Sequence, residues 1–386
     1  MKLQAKQPLT TLLLLLLLVM SVQGKTQQTE ARPVRIAVAG TSHAHVSWIL
    51  SRKEKTDAVV VGIYETDKQL IDRQVARYKL DPNLVYSDLN MMLDKVKPDV
   101  VVAFGSIYDH MKVVEAAAPR GINIMVEKPL ATNVKHVMQM KALADKYHVQ
   151  VLTNYETSWY PTTEKTYRLV HDSAYVGEIR KVVIHDGHEG PKEIGVNKEF
   201  FAWLTDPVQN GGGALIDFGC YGANLMTYLM KGAEPLSVTA VSAQYKPDIY
   251  PKVDDETTII VQYPKAQCII QASWNWPFSR KDMEVYGQTG YVITTNNNLM
   301  RRRNKQARSE ETDSVTAEEV GVYVDPFSYL SEVINKKITV PPFGLYSLEN
   351  NIMVVRILEA ARESAKTNKT IFFKNAPVAA GTSNKK

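Results

Sequence analysis

From Val34 the chain alternates short apolar runs with longer stretches of helical spacing. VRIAVAG, AVVVGIYE, DVVVAFG, INIMVEK and VQVLTNY are β-branched runs of strand length, unbroken in the manner of parallel strands buried on both faces. Between them, DKQLIDRQVARYKL, HMKVVEAAAPRG and VKHVMQMKALADKYH place apolar residues at helical intervals and keep polar outer faces. Strand and helix in turn predict a doubly wound, parallel α/β domain over residues 34–154. In such a sheet, ligands bind beyond the carboxyl ends of the strands.

A different pattern governs GGGALIDFGCYGANL, residues 211–225, an apolar run that carries Asp217, Tyr221 and Asn224. Their spacing places all three on one helix face. Polar groups on a buried element must find partners, or each costs about 1–3 kcal/mol. A first-turn carboxylate and a core-edge tyrosine with a bonded hydroxyl would satisfy two of them without any chemistry. The stretch alone leaves both readings open.

The beginning of the chain follows a third pattern. Lys2 and Lys6 precede the run TLLLLLLLVM, which is followed by Val22, Gln23 and Gly24. The run is shorter than the ~20 residues of a membrane helix and has the flanks of a secretory signal, so residues 1–24 are expected to be cleaved and the protein exported, to the periplasm. No stable membrane insertion is then expected. A polar linker follows over residues 25–33, and residues 371–386 read as a disordered tail.

At 386 residues and 45% hydrophobic composition, the remainder suffices for two packed domains. Cleavage removes two lysines from a net charge of +5, leaving +3, too little to suggest nucleic acid. Arg301, Arg302 and Arg303 read as a solvated loop. Cys220 and Cys268 lack the paired spacing of a zinc site and no HExxH occurs, so no metal is expected, and whether the two pair is open.

The first strand ends in GTSHAH, residues 40–45. Gly40 and Ser42 fit the first two small positions of a dinucleotide loop, with Thr41 between them and His45 at the third. His43 and His45 read equally as anion contacts or as helix-start residues. The second strand ends at Glu65, ~25 residues after Gly40, where a carboxylate accepts from a ribose 2′-hydroxyl and repels a 2′-phosphate. This favours NAD over NADP.

INIMVEKP then delivers Glu127, Lys128 and Pro129 to the same sheet edge. With GINIMVEKPLATN, NYETSWYP, GGGALIDFG, ASWNWPFSRKDMEVYGQTGYV and YSLENNIMVVRILEAARES, the chain resembles the Gfo/Idh/MocA oxidoreductases over nearly its whole mature length. The resemblance implies an N-terminal Rossmann domain and, over residues 155–343, a C-terminal α/β domain on a large, open, mainly antiparallel sheet that serves homo-oligomer contacts. A helix within residues 344–370 would return to the first domain. It also implies that Lys128 lies near nicotinamide and substrate, and that Gly105, Ser106 and His110 form a cofactor-side loop with Glu127 nearby.

The family's D-x-G-x-H motif is occupied here by Asp217, Gly219 and Tyr221. Tyrosine in place of histidine is similar to the branch containing glucose-fructose oxidoreductase, in which tyrosine takes the acid/base position. A hydroxyl proton must go somewhere when nicotinamide takes the hydride. The Lys128 ammonium beside Tyr221 would favour the phenolate, and Asp217 would accept a substrate hydroxyl. Tyr155, Trp159, His188 and Trp203 are the substrate-side candidates, with aromatic faces suited to a neutral sugar. The expectation is an exported NAD-dependent oxidoreductase acting on a carbohydrate hydroxyl. A redox-neutral glycoside-cleaving enzyme with tightly bound NAD, and a sugar-binding protein without chemistry, are the alternatives.

Overall fold

A computed structural model describes residues 32–53 and 56–373 of the chain. The expected signal, most of the linker and most of the tail lie outside these residues. Among the described residues no helix is long and apolar enough to cross a membrane.

The first sheet is built from β1 (Val34–Ala39), β2 (Ala58–Tyr64), β3 (Val85–Tyr86), β4 (Val100–Ala103), β5 (Asn123–Glu127) and β6 (Val151–Asn154). Its helices are α1 (Val46–Leu50), α2 (Lys68–Tyr78), α3 (Leu89–Val96), α4 (His110–Ala117) and α5 (Val134–Tyr147). Side-chain caps start three of them, since Asp67, Asp88 and Asn133 accept from Leu70, Met91 and His136 backbone N–H groups. All neighbouring strands are parallel, in the order β3-β2-β1-β4-β5-β6. The order reverses between β1 and β4, so a crevice opens beyond their carboxyl ends. The short β3 and helix α3 were absent from the sequence reading, because two half-buried residues carry too little periodicity to register.

The second sheet follows α6 (Pro161–His171) and has nine strands: β7 (Ile179–Gly187), β8 (Ser237–Ala243), β9 (Glu256–Gln262), β10 (Gln267–Ser273), β11 (Arg280–Gly287), β12 (Gly290–Thr294), β13 (Leu299–Asn304), β14 (Glu311–Ser314) and β15 (Ile371–Phe372). Every described pairing is antiparallel except β7 with β10. Between β7 and β8 run α7 (Lys198–Leu204), α8 (Ala214–Asp217) and α9 (Gly219–Leu229). Helix α9 lies on the face that buries Val182, Ile184 and Ile270, close enough that a Cβ on Gly222 would meet Ile270 at 2.5 Å. After α10 (Ala317–Val320) and α11 (Pro326–Ile334), the long α12 (Leu348–Thr367) packs on α9 and β8 and also on α5. That last contact ties the end of the chain to the first sheet.

Two expectations are corrected here and one open question is answered. Arg301, Arg302 and Arg303 belong to β13, where Arg302 bonds Asp313 at 2.5 Å and Arg301 bonds Glu310 at 3.1 Å, so the charges stabilise a strand near the sheet edge. Ile371 and Phe372 pair with Val238 and Ser237, so the tail is ordered at its start. Cys220 and Cys268 are both free, buried thiols.

Candidate active site at the carboxyl edge of the first sheet

Gly40 turns out of β1 with φ +79°, and a Cβ there would lie 2.7 Å from the Gly105 nitrogen. Only glycine allows this approach, which closes the loop against the end of β4. Thr41 donates its N–H and its hydroxyl to one Glu65 oxygen at 2.8 and 2.9 Å, and the other oxygen accepts from the N–H groups of Thr66 and Asp67. The Glu65 carboxylate thus pins the glycine loop to the end of β2. Ser106 donates to Asp109 and Gln209, each at 2.8 Å.

These groups surround a cleft of about 400 Å³ lined by Gly40, Ser42, Glu65, Gly105, Ser106 and His110, with Trp203 and Gln209 across from them. The lining suits a dinucleotide on two counts. A Cβ on Gly105 would meet nothing within 4 Å, so backbone there faces open space. His110 uses Nδ1 on the Leu130 carbonyl at 3.1 Å, while its buried Nε2 has no partner among the described residues. Burial pushes this imidazole down to about 4, so it stays neutral at physiological pH.

His43 and His45 lie apart from that cleft. His45 Nδ1 is 2.9 Å from Glu127 Oε2, the other Glu127 oxygen accepts from Asn154 at 2.7 Å, and the His45 ring stacks on Trp48 at 3.7 Å. His43 Nδ1 accepts the His45 N–H at 3.1 Å. Burial holds both imidazoles well below their ordinary value. Helix α1, which they precede, has five residues and gives no basis for an anion site. His43, His45 and Glu127 bring ligand-type atoms within 4.8 Å of one another, a grouping the sequence spacing did not reveal.

Lys128 follows β5 and is 5% exposed. Its ammonium bonds Asp217 Oδ1 and, at 2.9 Å, the Asp217 carbonyl. Trp274 Nε1 takes the other carboxylate oxygen at 3.0 Å. Burial works against the Lys128 charge, but the adjacent carboxylate outweighs it and raises the ammonium above its ordinary value. Burial likewise opposes the Asp217 charge, and Lys128 overcomes it. Asp217 is placed by the glycines before it. A Cβ on Gly213 would lie 1.8 Å from the Asp254 carbonyl oxygen, and Asp254 accepts from Gly213 and Leu215 N–H groups at 2.9 and 2.6 Å.

Tyr221, 1% exposed, presents its ring to two ammonium groups, Lys128 at 5.0 Å and Lys281 at 4.8 Å from the centroid. Tyr155 meets it edge-on at 5.4 Å. The convergence of Lys128 and Tyr221 is present, but two details correct the sequence reading. Burial, with Glu156 and Asp186 next, pushes the phenol well above its ordinary value, while Lys128 faces the ring and is bound to Asp217. Asp217 has both oxygens engaged and acts on Lys128 rather than offering a free acceptor. Asn224, the third residue of the stripe, donates to the Leu345 carbonyl at 2.9 Å and serves packing against the start of α12.

Of the other candidates, His188 packs edge-on against Phe218 at 4.9 Å, within the electrostatic reach of Asp217. Trp203 donates to Ser42 Oγ at 3.0 Å and lines the cleft with Gly40 and Gly105. Trp159 packs on Trp48 at 5.4 Å and lines a different cavity of about 200 Å³ with Tyr228, Tyr329 and Tyr346. Sequence reasoning missed Lys281, Asp186 and Trp274. Lys281 bonds Glu156 and stands opposite Asp186 across the β7–β11 pairing.

Comparison with known proteins agrees with this geometry. A family described as "Oxidoreductase family, NAD-binding Rossmann fold" matches residues 34–155, and "GFO/IDH/MocA C-terminal domain" matches residues 165–293. Trans-1,2-dihydrobenzene-1,2-diol dehydrogenase from Xenopus tropicalis is 31% identical over 180 residues, 46% of this chain and 50% of that protein. D-xylose 1-dehydrogenase (NADP(+)) from Haloarcula marismortui is 24% identical over 156 residues, 40% of this chain and 42% of that protein. The chain therefore spans about half the length of the curated relatives it matches. Aldose-aldose oxidoreductase from Caulobacter crescentus, complexed with glycerol, has a TM-score of 0.74 at 21% identity, covering 89% of this chain and 100% of that one. An inositol dehydrogenase homolog from Azotobacter vinelandii, complexed with NADH and myo-inositol, has 0.74 at 14% identity, covering 89% and 98%. At these identities the structural likeness speaks for the fold. With both domains matched in order along the sequence, the chain belongs to the Gfo/Idh/MocA oxidoreductase family.

Proposed function

We infer that the protein is an NAD-dependent oxidoreductase moving hydride between nicotinamide and a CH–OH group of a carbohydrate or polyol. The observation that carries this reading is the meeting of Lys128, at the carboxyl end of β5, with Tyr221 on helix α9, at the same edge of the first sheet as a cleft of about 400 Å³. Gly40, Ser42, Glu65, Gly105, Ser106 and His110 would hold the cofactor, which when bound supplies the hydride acceptor. The Glu65 carboxylate on the cleft wall supports NAD over NADP.

Lys128, kept charged by Asp217, donates to the substrate oxygen and stabilises negative charge there. Tyr221 carries its proton at Oη and gives it to the carbonyl oxygen in the reductive direction, which leaves a phenolate; in the oxidative direction that phenolate takes the proton from the alcohol. Asp217 and Trp274 position Lys128. Export to the periplasm, supported by the pattern of residues 1–24, and self-association through the open face of the nine-stranded sheet complete the reading.

The test is to denature the purified mature protein, identify any released nucleotide by mass, and then follow nicotinamide absorbance on adding D-xylose or myo-inositol. Released or taken-up NAD with a sugar-dependent redox change supports the reading. Failure to release or bind any nicotinamide nucleotide would overturn it. Sugar cleavage without net redox change would point instead to the glycoside-cleaving alternative.

A further inference from the structure

Along the inner row of β7, Val182 and Ile184 are followed by Asp186, and all three are 0% exposed. The row is where the sheet meets α9, and two of its members are the hydrocarbons such a position requires. The third is a carboxyl group. Neither Asp186 oxygen has a hydrogen-bond partner among the described residues.

The opposite face of the same strand shows what a satisfied polar position looks like. His185 there bonds Asp282 at 2.9 Å, and Arg280 grips Asp282 with two bonds at 2.6 and 2.8 Å. An unpartnered buried polar group is destabilising, and a third hydrocarbon in the row would avoid that cost. A group retained against such a cost calls for a partner that is not part of the chain.

Its surroundings identify the partner's chemistry. Asp186 stands opposite Lys281, whose ammonium lies over the Tyr221 ring, and it acts electrostatically on the Tyr221 phenol. Resting on the oxidoreductase reading of that cluster, we propose that Asp186 is a substrate-binding residue whose carboxyl group engages two neighbouring hydroxyls of a neutral sugar or cyclic polyol.

Burial pushes this carboxyl well above the usual range, despite the pull of Lys281 and Lys128, which favours its protonated form. A protonated carboxyl both donates and accepts, as each hydroxyl of a vicinal diol does. A carboxylate or phosphate in the same place would meet no excess of positive charge, because Glu156 and Asp217 act on Asp186 with the opposing sign to Lys281 and Lys128.

The experiment uses the full mature chain with Asp186→Leu, Asp186→Ala and Asp186→Asn. D-xylose, D-glucose and myo-inositol are titrated by calorimetry with NAD present, and unfolding midpoints are measured alongside. Asp186→Leu should unfold at a higher temperature yet bind the preferred probe about tenfold or more weakly, with NAD affinity unchanged. Asp186→Ala should show the same loss of binding without adding volume, which keeps the test decisive if leucine does not fit. Asp186→Asn, still a donor and acceptor, should stay within about threefold of wild type.

Unchanged sugar affinity in the leucine or alanine variant overturns the proposal, as does failure of the wild type to bind any of the three probes. If the wild type binds a probe but never reduces NAD, the oxidoreductase reading fails while these affinities still decide the role of Asp186.

Discussion

Around the cleft at the carboxyl edge of the first sheet the polar groups are tied to one another and open space is left between them, whereas beside Tyr221 the Lys128–Asp217 pair is packed with almost no exposure. Glu65 illustrates the first arrangement, with four hydrogen bonds from the loops it joins and a carboxylate still on the cleft wall. Lys128 and Asp217 illustrate the second, a buried pair in which each charge survives only because of the other. A preformed cleft suits binding, where satisfied groups limit the ordering cost. A dry, charged cluster suits catalysis, since hydrogen bonds and charges act more strongly out of water. The protein thus holds shape at one end of its site and stored electrostatic interaction at the other.

Breaking the buried pair is the most disruptive way to test this contrast. Lys128→Met leaves the Asp217 carboxylate alone in the interior and should cost about 3–5 kcal/mol in urea unfolding. Lys128→Met combined with Asp217→Leu should recover most of that stability and none of the turnover. Recovery of activity in the double variant would mean that the pair is structural.

Tyr221→Phe probes the cluster without disturbing its charges. It should leave the fold and NAD affinity intact and lower kcat by about 10²–10⁴. Equal kcat for the two would remove the phenol from proton transfer.

His110 separates the two regions by pH. Its imidazole titrates near 4 in the folded chain against 6.5 in a free residue, so the unfolded state binds the extra proton between those values. Stability should therefore fall as pH drops through that window, by about 3 kcal/mol from this group, with His43 and His45 acting in the same direction. His110→Asn should flatten that part of the stability curve; an unchanged slope would show that the buried ring is not the source.

The smallest effect belongs to the cleft wall. Glu65→Gln should reduce the preference for NAD over NADP by about tenfold, read from the two dissociation constants. A preference that does not move would place the selectivity elsewhere.

The elements whose chemistry is contiguous in sequence were legible there. The strand leading to Lys128 is an unbroken apolar run, whereas the close approach of Gly213 to the Asp254 carbonyl, which places Asp217, came only with the structure. What the residues could not show was which groups meet across the two sheets. Lys281 lies in a strand of mixed polarity, and nothing local marks it as the second cation over Tyr221. Asp186 left a trace, a polar residue in step with Val182 and Ile184, but alternation tells the face and not the absence of a partner. The direction of the Tyr221 shift is not legible in the sequence, because it is set by burial of the phenol and by Glu156 and Asp186. The family resemblance implied that Lys128 and Tyr221 would be close; only coordinates show the charge over the ring and committed to Asp217.

The central claim is that Lys128 and Tyr221 flank one nicotinamide ring, and the structure of the full chain bound to NAD tests it most directly. The account predicts the pyrophosphate over Gly40 and the nicotinamide in van der Waals contact with both side chains, at about 3.5–4 Å. A dinucleotide held in the cleft with its nicotinamide turned away from Tyr221, or no binding at saturating NAD, would contradict it.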